Sequence, residues 1–115
     1  MNIEEARRSI LAGDSREDMK VEGNLDLRHI VYLQSLPKGL KIRGDLNLGY
    51  CTSLKELPEG LEVTRELCLE GCTSLKSIPE GLKIGKRMDL RGCTSLGKVP
   101  MDLLIGRPIK WENVL

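Results

Sequence analysis

The chain has 115 residues, of which 40% are apolar, and its 18 basic and 17 acidic residues leave a net charge of +1. This length predicts a single domain, and a nucleic-acid-binding protein is not expected, because such proteins usually carry a basic excess that neutralises phosphates. The chain has no Phe, one Trp and two Tyr, so Leu, Ile and Val must build the core.

The first 20 residues predict a capping helix followed by a linker. Asn2-Ile3-Glu4-Glu5 fits a capping box, in which Asn2 caps the helix and Glu5 reaches back. Gly13 is a plausible stop signal. We expect a helix over residues 3–12 that closes one end of the domain, with an apolar face formed by Ile3, Ala6, Ile10 and Leu11.

From residue 21 onwards the chain repeats itself every 21 residues, without an insertion. A fixed period of this length predicts a solenoid, because one unit is too small to bury its own apolar face and must stack on the next. We divide the chain into four repeats and a C-terminal cap with a partial fifth repeat, at residues 21–41, 42–62, 63–83, 84–104 and 105–115. In the cap, Ile109 and Trp111 fall at inward strand positions after Pro108. A capping role is favoured for Trp111, and a binding hot spot is the alternative.

Within a repeat the apolar spacing changes from two to three. Glu66-Leu67-Cys68-Leu69 alternates as a half-buried strand does. The spacing of Cys72, Leu75 and Ile78 then predicts an arc of 3₁₀ or irregular character, and the following Pro-x-Gly-Leu predicts a turn. We therefore expect an α/β solenoid with about four to five short parallel strands on one side and irregular, 3₁₀-like turns on the other.

The motif Leu67-x-Leu69-x-x-Cys72 resembles the leucine-rich repeat consensus. Leu-Pro-Glu-Gly-Leu at residues 57–61 is similar to the short LPX-type repeats of bacterial effectors, and LxLxGCTSLKxxP is similar to repeats of plant intracellular immune receptors. The resemblance covers about Val21 to Trp111. It implies a curved parallel sheet whose concave face binds other macromolecules, most often proteins. The consensus Asn is replaced by Cys in three repeats and by Ile30 in the first.

Two cysteine features could carry chemistry. Cys51, Cys72 and Cys93 share one repeat position and should stack about 4.8 Å apart, which does not suit one zinc ion with sulfurs at about 2.3 Å. Small buried hydrophobic residues are the favoured interpretation. Cys68 should point outwards, but its acidic neighbours disfavour a thiolate, so a surface cysteine is favoured over a nucleophile.

Function is expected at the outward strand positions, which mix both charges, and at the neighbouring His29 and Tyr50, of which Tyr50 is the best anchor. The predicted protein-binding residues are Asp26, Arg28, His29, Asp45, Asn47, Tyr50, Glu66, Cys68, Glu70, Arg87, Asp89 and Arg91.

We expect a monomeric, non-catalytic module that binds another protein on this face, with no cofactor, metal or nucleic acid. The alternative is a secreted bacterial effector, or the recognition part of one, acting on a host protein. A Cys68-dependent enzyme is less favoured. Neither a signal peptide nor a transmembrane helix is predicted, so we expect a cytoplasmic protein with reduced thiols, and export without a cleaved signal stays open.

Overall fold

A computed structural model describes residues 1–14, 16–97 and 99, and the strand formed by residues 109–110. In this part of the chain, helix α1 (Ile3–Leu11) is followed by short strands. Their bounds are β1 Lys20–Glu22, β2 Leu25–Asp26, β3 Lys41–Arg43, β4 Leu46–Asn47, β5 Glu62–Val63, β6 Leu67–Cys68, β7 Lys83–Ile84, β8 Met88–Asp89 and β9 Ile109–Lys110. None of the helical structure described here is long and apolar enough to cross a membrane.

The strands form two parallel sheets that run along a solenoid. The first sheet has the order β1-β3-β5-β7, and the second has the order β2-β4-β6-β8-β9. Paired residues lie 21 positions apart, as Val21 does from Ile42 and Leu46 from Leu67. Ile109 continues this register beside Met88. Each 21-residue repeat is therefore one coil, and the predicted repeat solenoid with an N-terminal helix is confirmed.

The second sheet alone corresponds to the strand that the sequence predicts, so the first sheet is a new finding. Each repeat contributes two short strands separated by a bend, as at Gly44 between β3 and β4. The strand expected over residues 66–69 is accordingly only two residues long, Leu67–Cys68. The bend prevents the two runs from joining into one straight strand, because it turns the backbone between them.

The arc that follows the second strand is built from consecutive turns. The amide of Cys72 donates to the carbonyl of Leu69 at 3.1 Å, and the amide of Leu75 donates to that of Cys72 at 3.2 Å. Such i→i+3 hydrogen bonds give three residues per turn and place these side chains on one side. The spacing of three in the sequence is thus expressed as tight turns, repeated from coil to coil.

The core is a stack of thin aliphatic layers between the two sheets and the arc. Leu27, Leu48, Leu69 and Leu90 have no exposed surface, and each belongs to the same column of the repeat. Within the described residues no polar or charged side chain is buried. Full burial of one Leu side chain contributes about 1.5–3 kcal/mol, so the repeated leucines supply the main stabilisation.

Helix α1 begins and ends by the signals in its sequence. The Asn2 side chain accepts a hydrogen bond from the Glu5 amide at 2.8 Å and donates one to the Glu5 carboxylate at 2.9 Å. Gly13 has φ 78° and donates to the Ile10 carbonyl at 3.1 Å, which closes the helix C-terminus. Ala6 and Ile10 are buried against the first coil, whereas Ile3, expected on the same face, is 40% exposed.

Candidate functional site

The twelve residues predicted to bind a protein lie on one surface, which we call the ladder face. It consists of the outward side chains of the second sheet, the positions just before it, and the turn that follows. Because equivalent residues lie 21 apart, they form four columns along the solenoid. The columns are Asp45, Glu66 and Arg87; Asp26, Asn47, Cys68 and Asp89; Arg28, Glu70 and Arg91; and His29 and Tyr50.

The column before the strands links successive repeats by hydrogen bonds. Asn24 accepts from the Asp45 amide at 2.8 Å, and Asp45 accepts from the Glu66 amide at 3.0 Å. Glu66 then accepts from Arg87 at 3.3 Å. Asn24 and Asp45 thus satisfy backbone donors of the next coil, and Glu66 pairs with a side chain of the next coil, so the positions of these side chains are set by the repeat register.

The strand column holds its side chains by local turns. Asp26, Asn47 and Asp89 each accept a hydrogen bond from the amide two residues further on, at 2.9 to 3.1 Å. Arg28 and Arg91 also grip their aspartates through two nitrogens, with Nη2–Oδ2 distances of 2.9 and 2.7 Å. Hydrogen bonding from Arg28 holds the pKa of Asp26 below its usual value. The carboxylates and guanidinium groups are therefore fixed in orientation.

An aromatic stack lies beside these pairs. The rings of His29 and Tyr50 have centroids 5.1 Å apart and planes within 3° of parallel. The Tyr50 ring also covers Gly71, the equivalent position of the next repeat, where a Cβ would overlap the ring. The charge of Glu70, with burial and a hydrogen bond to its carboxylate, raises the pKa of Tyr50. The stack is an ordered feature of the ladder face that the sequence analysis did not predict.

Cys68 sits at the centre of the face beside two carboxylates. Its sulfur and single oxygens of Glu70 and Asp89 lie within 4.8 Å of one another. Arg91 contacts both acids, at 3.6 Å for Glu70 and 2.7 Å for Asp89. Burial, and then the charges of the two acids, raise the pKa of Cys68. The neighbourhood therefore disfavours the thiolate that a nucleophile or a metal ligand needs.

The cysteine column has a structural role that the sequence only partly predicts. Cys51, Cys72 and Cys93 are buried, and each thiol lies 3.1 Å from a carbonyl oxygen of the preceding repeat, belonging to Leu27, Leu48 and Leu69. Burial raises the pKa of Cys72 to about 12 and that of Cys93 to about 11. The thiols thus donate to separate backbone acceptors, and neighbouring coils are joined by a ladder of S–H···O hydrogen bonds.

A cleft opens where helix α1 meets the first repeat. It has a volume of about 330 Å³, and the residues lining it include Ile3, Arg7, Leu25, Asp26 and His29. We call it the cap cleft. The sequence predicts Ile3 in the buried face of the helix, so the cleft was not predicted. Trp111, Pro108 and Ile105, assigned above to the C-terminal cap, lie outside the described residues.

Comparison of the chain with protein-family models, with curated proteins and with solved structures finds no match. The architecture therefore rests on the chain's own repeats and on the pairing of its strands.

Proposed function

We propose that the chain is a leucine-rich repeat protein and that the ladder face, the concave face of such a solenoid, binds another protein. The leucine-rich repeat assignment is supported by the consensus-like segments on the second sheet and by the 21-residue register. Binding is proposed as non-catalytic and without a cofactor.

The observation that carries this proposal is the contrast between inward and outward columns. The inward columns repeat nearly the same side chain in every coil, whereas the strand column of the ladder face reads Asp26, Asn47, Cys68 and Asp89. Stacking alone requires only the inward residues. Side chains that vary and yet are held by hydrogen bonds form a preorganised surface, which lowers the entropic cost of binding.

The dimensions of the face suit one partner of modest size. Five strands at about 4.8 Å span roughly 20 Å, close to the width of one small protein interface. Its charges alternate between acids and arginines, which favours a partner with a matching pattern of both signs. Orientation and association rate, more than total affinity, are expected to depend on these charges.

The test is capture of partners by the full chain, followed by direct binding of each captured protein in purified form. The ladder-face variant combines Tyr50→Ala, Glu70→Arg and Arg91→Glu, which leaves the net charge unchanged. The matched control combines Lys76→Glu and Glu80→Arg, two exposed positions away from the ladder face. Circular dichroism checks that both variants fold.

We expect a purified partner to bind the wild type and the control equally and to lose at least one order of magnitude in affinity for the ladder-face variant. A loss of that size corresponds to about 1.4 kcal/mol, less than one interface anchor residue contributes. Partners that bind all three proteins with equal affinity would show that the ladder face is only a solvated surface.

A further inference from the structure

The large apolar side chains that are exposed in the described part of the chain all lie in its N-terminal half. They are Ile3, Val31, Tyr32 and Tyr50, with exposed fractions of 40%, 56%, 64% and 42%. At the positions equivalent to Val31 and Tyr32, each later repeat has Thr and Ser. The chain therefore departs from its own repeat by exposing apolar side chains in the first coil, where stacking does not require them.

The aromatic stack involves a second departure, which has a conformational cost. His29 and Tyr50 have φ values of 62° and 58°, and the equivalent residues of the later repeats are Gly71 and Gly92 at 73° and 77°. Glycine adopts this left-handed conformation freely, whereas other residues are strained in it. Strain retained at a surface position points to a function for the side chain, and here that side chain is an aromatic ring.

The geometry of the stack directs one ring face into the cap cleft. Tyr50 belongs to the second repeat and covers one face of the His29 ring, with the two planes nearly parallel. The opposite face of His29 must then point away from the second repeat, towards helix α1. His29 lines the cap cleft together with Ile3 and Arg7 of that helix. A planar group inside the cleft can therefore lie on the open face of His29 and extend the stack.

The remaining lining of the cleft selects a neutral group with an apolar body. Ile3, which is 40% exposed, supplies apolar surface, and Leu25 adds little because only 2% of it is exposed. The charges balance, because two arginines, Arg7 and Arg28, and two carboxylates, Glu4 and Asp26, line the cleft. Arg7 also helps to lower the pKa of Asp26, after the larger effect of Arg28. A phosphate would meet both carboxylates, whereas a phenol or indole can use the polar rim as donor or acceptor.

We propose that the cap cleft receives a tyrosine or tryptophan side chain of the partner protein, which stacks on His29 and extends the His29–Tyr50 pair. The volume of about 330 Å³ accommodates one such side chain, which buries about 150–250 Å² in a typical interface. This inference rests on the proposed function, because it supplies the anchor residue of the partner bound at the adjoining ladder face.

The first experiment uses the full chain and N-acetyltryptophanamide, with N-acetyltyrosinamide and N-acetylleucinamide as further probes, followed by NMR. We expect both aromatic probes to shift the signals of Ile3, Leu25 and His29. The variant His29→Gly restores the residue type of Gly71 and Gly92 and is expected to fold. It should lower probe affinity roughly two- to tenfold, as loss of one aromatic stack does, while Tyr32→Ala, an exposed aromatic that does not line the cleft, should leave it unchanged.

Three outcomes would overturn the inference. The first is that the leucine probe shifts these signals as strongly as the aromatic probes do. The second is that His29→Gly binds the aromatic probes as tightly as the wild type does. The third is that adenosine monophosphate, added as a competing probe, shifts the cleft signals more strongly than the tryptophan probe, since that result would assign the cleft to a nucleobase.

The second experiment separates this inference from the proposed function. A purified partner that loses affinity for the ladder-face variant should also lose affinity for His29→Gly, and replacing one of its aromatic residues by Ala should produce the same loss. If the ladder-face variant fails to bind but His29→Gly binds fully, the proposed function stands and the cleft is not the anchor site. If the tryptophan probe binds in the cleft but no partner depends on His29, the assignment to a partner side chain is wrong.

Discussion

Replacing Gly71 by Ala should disturb the aromatic stack, and the chain offers a matched control for the backbone effect. Gly71 has φ 73°, and a Cβ added there would overlap the Tyr50 ring. Gly81 has φ 80°, and a Cβ added there meets no atom within 4 Å. Gly81→Ala therefore measures the conformational cost alone, and Gly71→Ala measures that cost plus displacement of the ring.

The magnitudes follow from these two contributions. A non-glycine residue in the left-handed region costs about 1–2 kcal/mol, and reduced freedom of the unfolded chain offsets about 0.4–1 kcal/mol of it. Gly81→Ala should thus destabilise the fold by at most about 1.6 kcal/mol, with about 0.8 kcal/mol as the middle of the range. The Tyr50 side chain can rotate away from a new Cβ, so Gly71→Ala should cost roughly 1–2 kcal/mol more, from the lost stack and ring burial.

Urea unfolding followed by circular dichroism measures both changes in the free energy of unfolding. A difference of about 1–2 kcal/mol between the variants corresponds to a Tm difference of roughly 4–8 °C for a domain of this size. NMR signals of the His29 ring should shift in Gly71→Ala and stay in place in Gly81→Ala. Equal destabilisation by the two substitutions, with an unchanged His29 signal, would refute the placement of the Tyr50 ring on Gly71.

Three further predictions concern titratable groups. Iodoacetamide should label Cys68 faster than buried Cys72 in the folded protein, with Cys68 still slower than a free thiol because its pKa is raised; mass spectrometry after timed quenching reads both rates. Glu70→Gln should lower the pKa of Tyr50 towards 10.0, since Glu70 is the main cause of its rise, as an ultraviolet titration in a Tyr32→Phe background would show. The pKa of Asp26 is lowered from 3.8, so the stabilisation by its carboxylate is present above that value and is lost as the pH falls through the folded-state pKa. Asp26→Asn should therefore lower the free energy of unfolding by at most about 1 kcal/mol at neutral pH and by almost nothing in acid. Urea unfolding at neutral and at acid pH measures both changes.

The repeat period was enough to predict the coil and its register. Residues such as Val21 and Ile42 occupy the same repeat position, and parallel stacking of identical units can only pair them in that register. The helix N-cap could also be predicted, because its hydrogen bonds involve Asn2 and Glu5 alone. The architecture could therefore be predicted from local sequence signals and from exact repetition.

Other features depend on contacts that leave no pattern in the sequence. The run Lys41-Ile42-Arg43 contains one buried residue between polar neighbours, too little alternation to indicate a strand, so the first sheet was missed. The hydrogen bonds from the cysteine thiols to backbone carbonyls could not be predicted either. Every residue type has a backbone carbonyl, so the sequence does not indicate which one a thiol contacts. The cap cleft lies between helix α1 and the first coil, where Ile3 is 40% exposed and not packed in the core. The apolar pattern of the helix does not distinguish Ile3 from the buried Ala6 and Ile10.

The paired charges of the ladder face differ in how much they can contribute to folding. Asp-x-Arg occurs in the first and fourth repeats, where Arg28 and Arg91 each grip an aspartate through two nitrogens. The side chains of Arg28 and its partner Asp26 are both more than half exposed, and exposed ion pairs contribute only about 0–1 kcal/mol to stability. Gly49 belongs to a repeat between the first and the fourth. A Cβ at this position would contact the side chains of Arg28 and Cys68, so the absence of a side chain leaves this part of the ladder face open. The Arg28 pair therefore adds little to the stability of the solenoid, whereas the Arg91 pair is less exposed, at 33% and 14%. Under the proposed function, both pairs would give a partner oriented contacts, and the missing side chain at Gly49 would leave it room to reach the sheet.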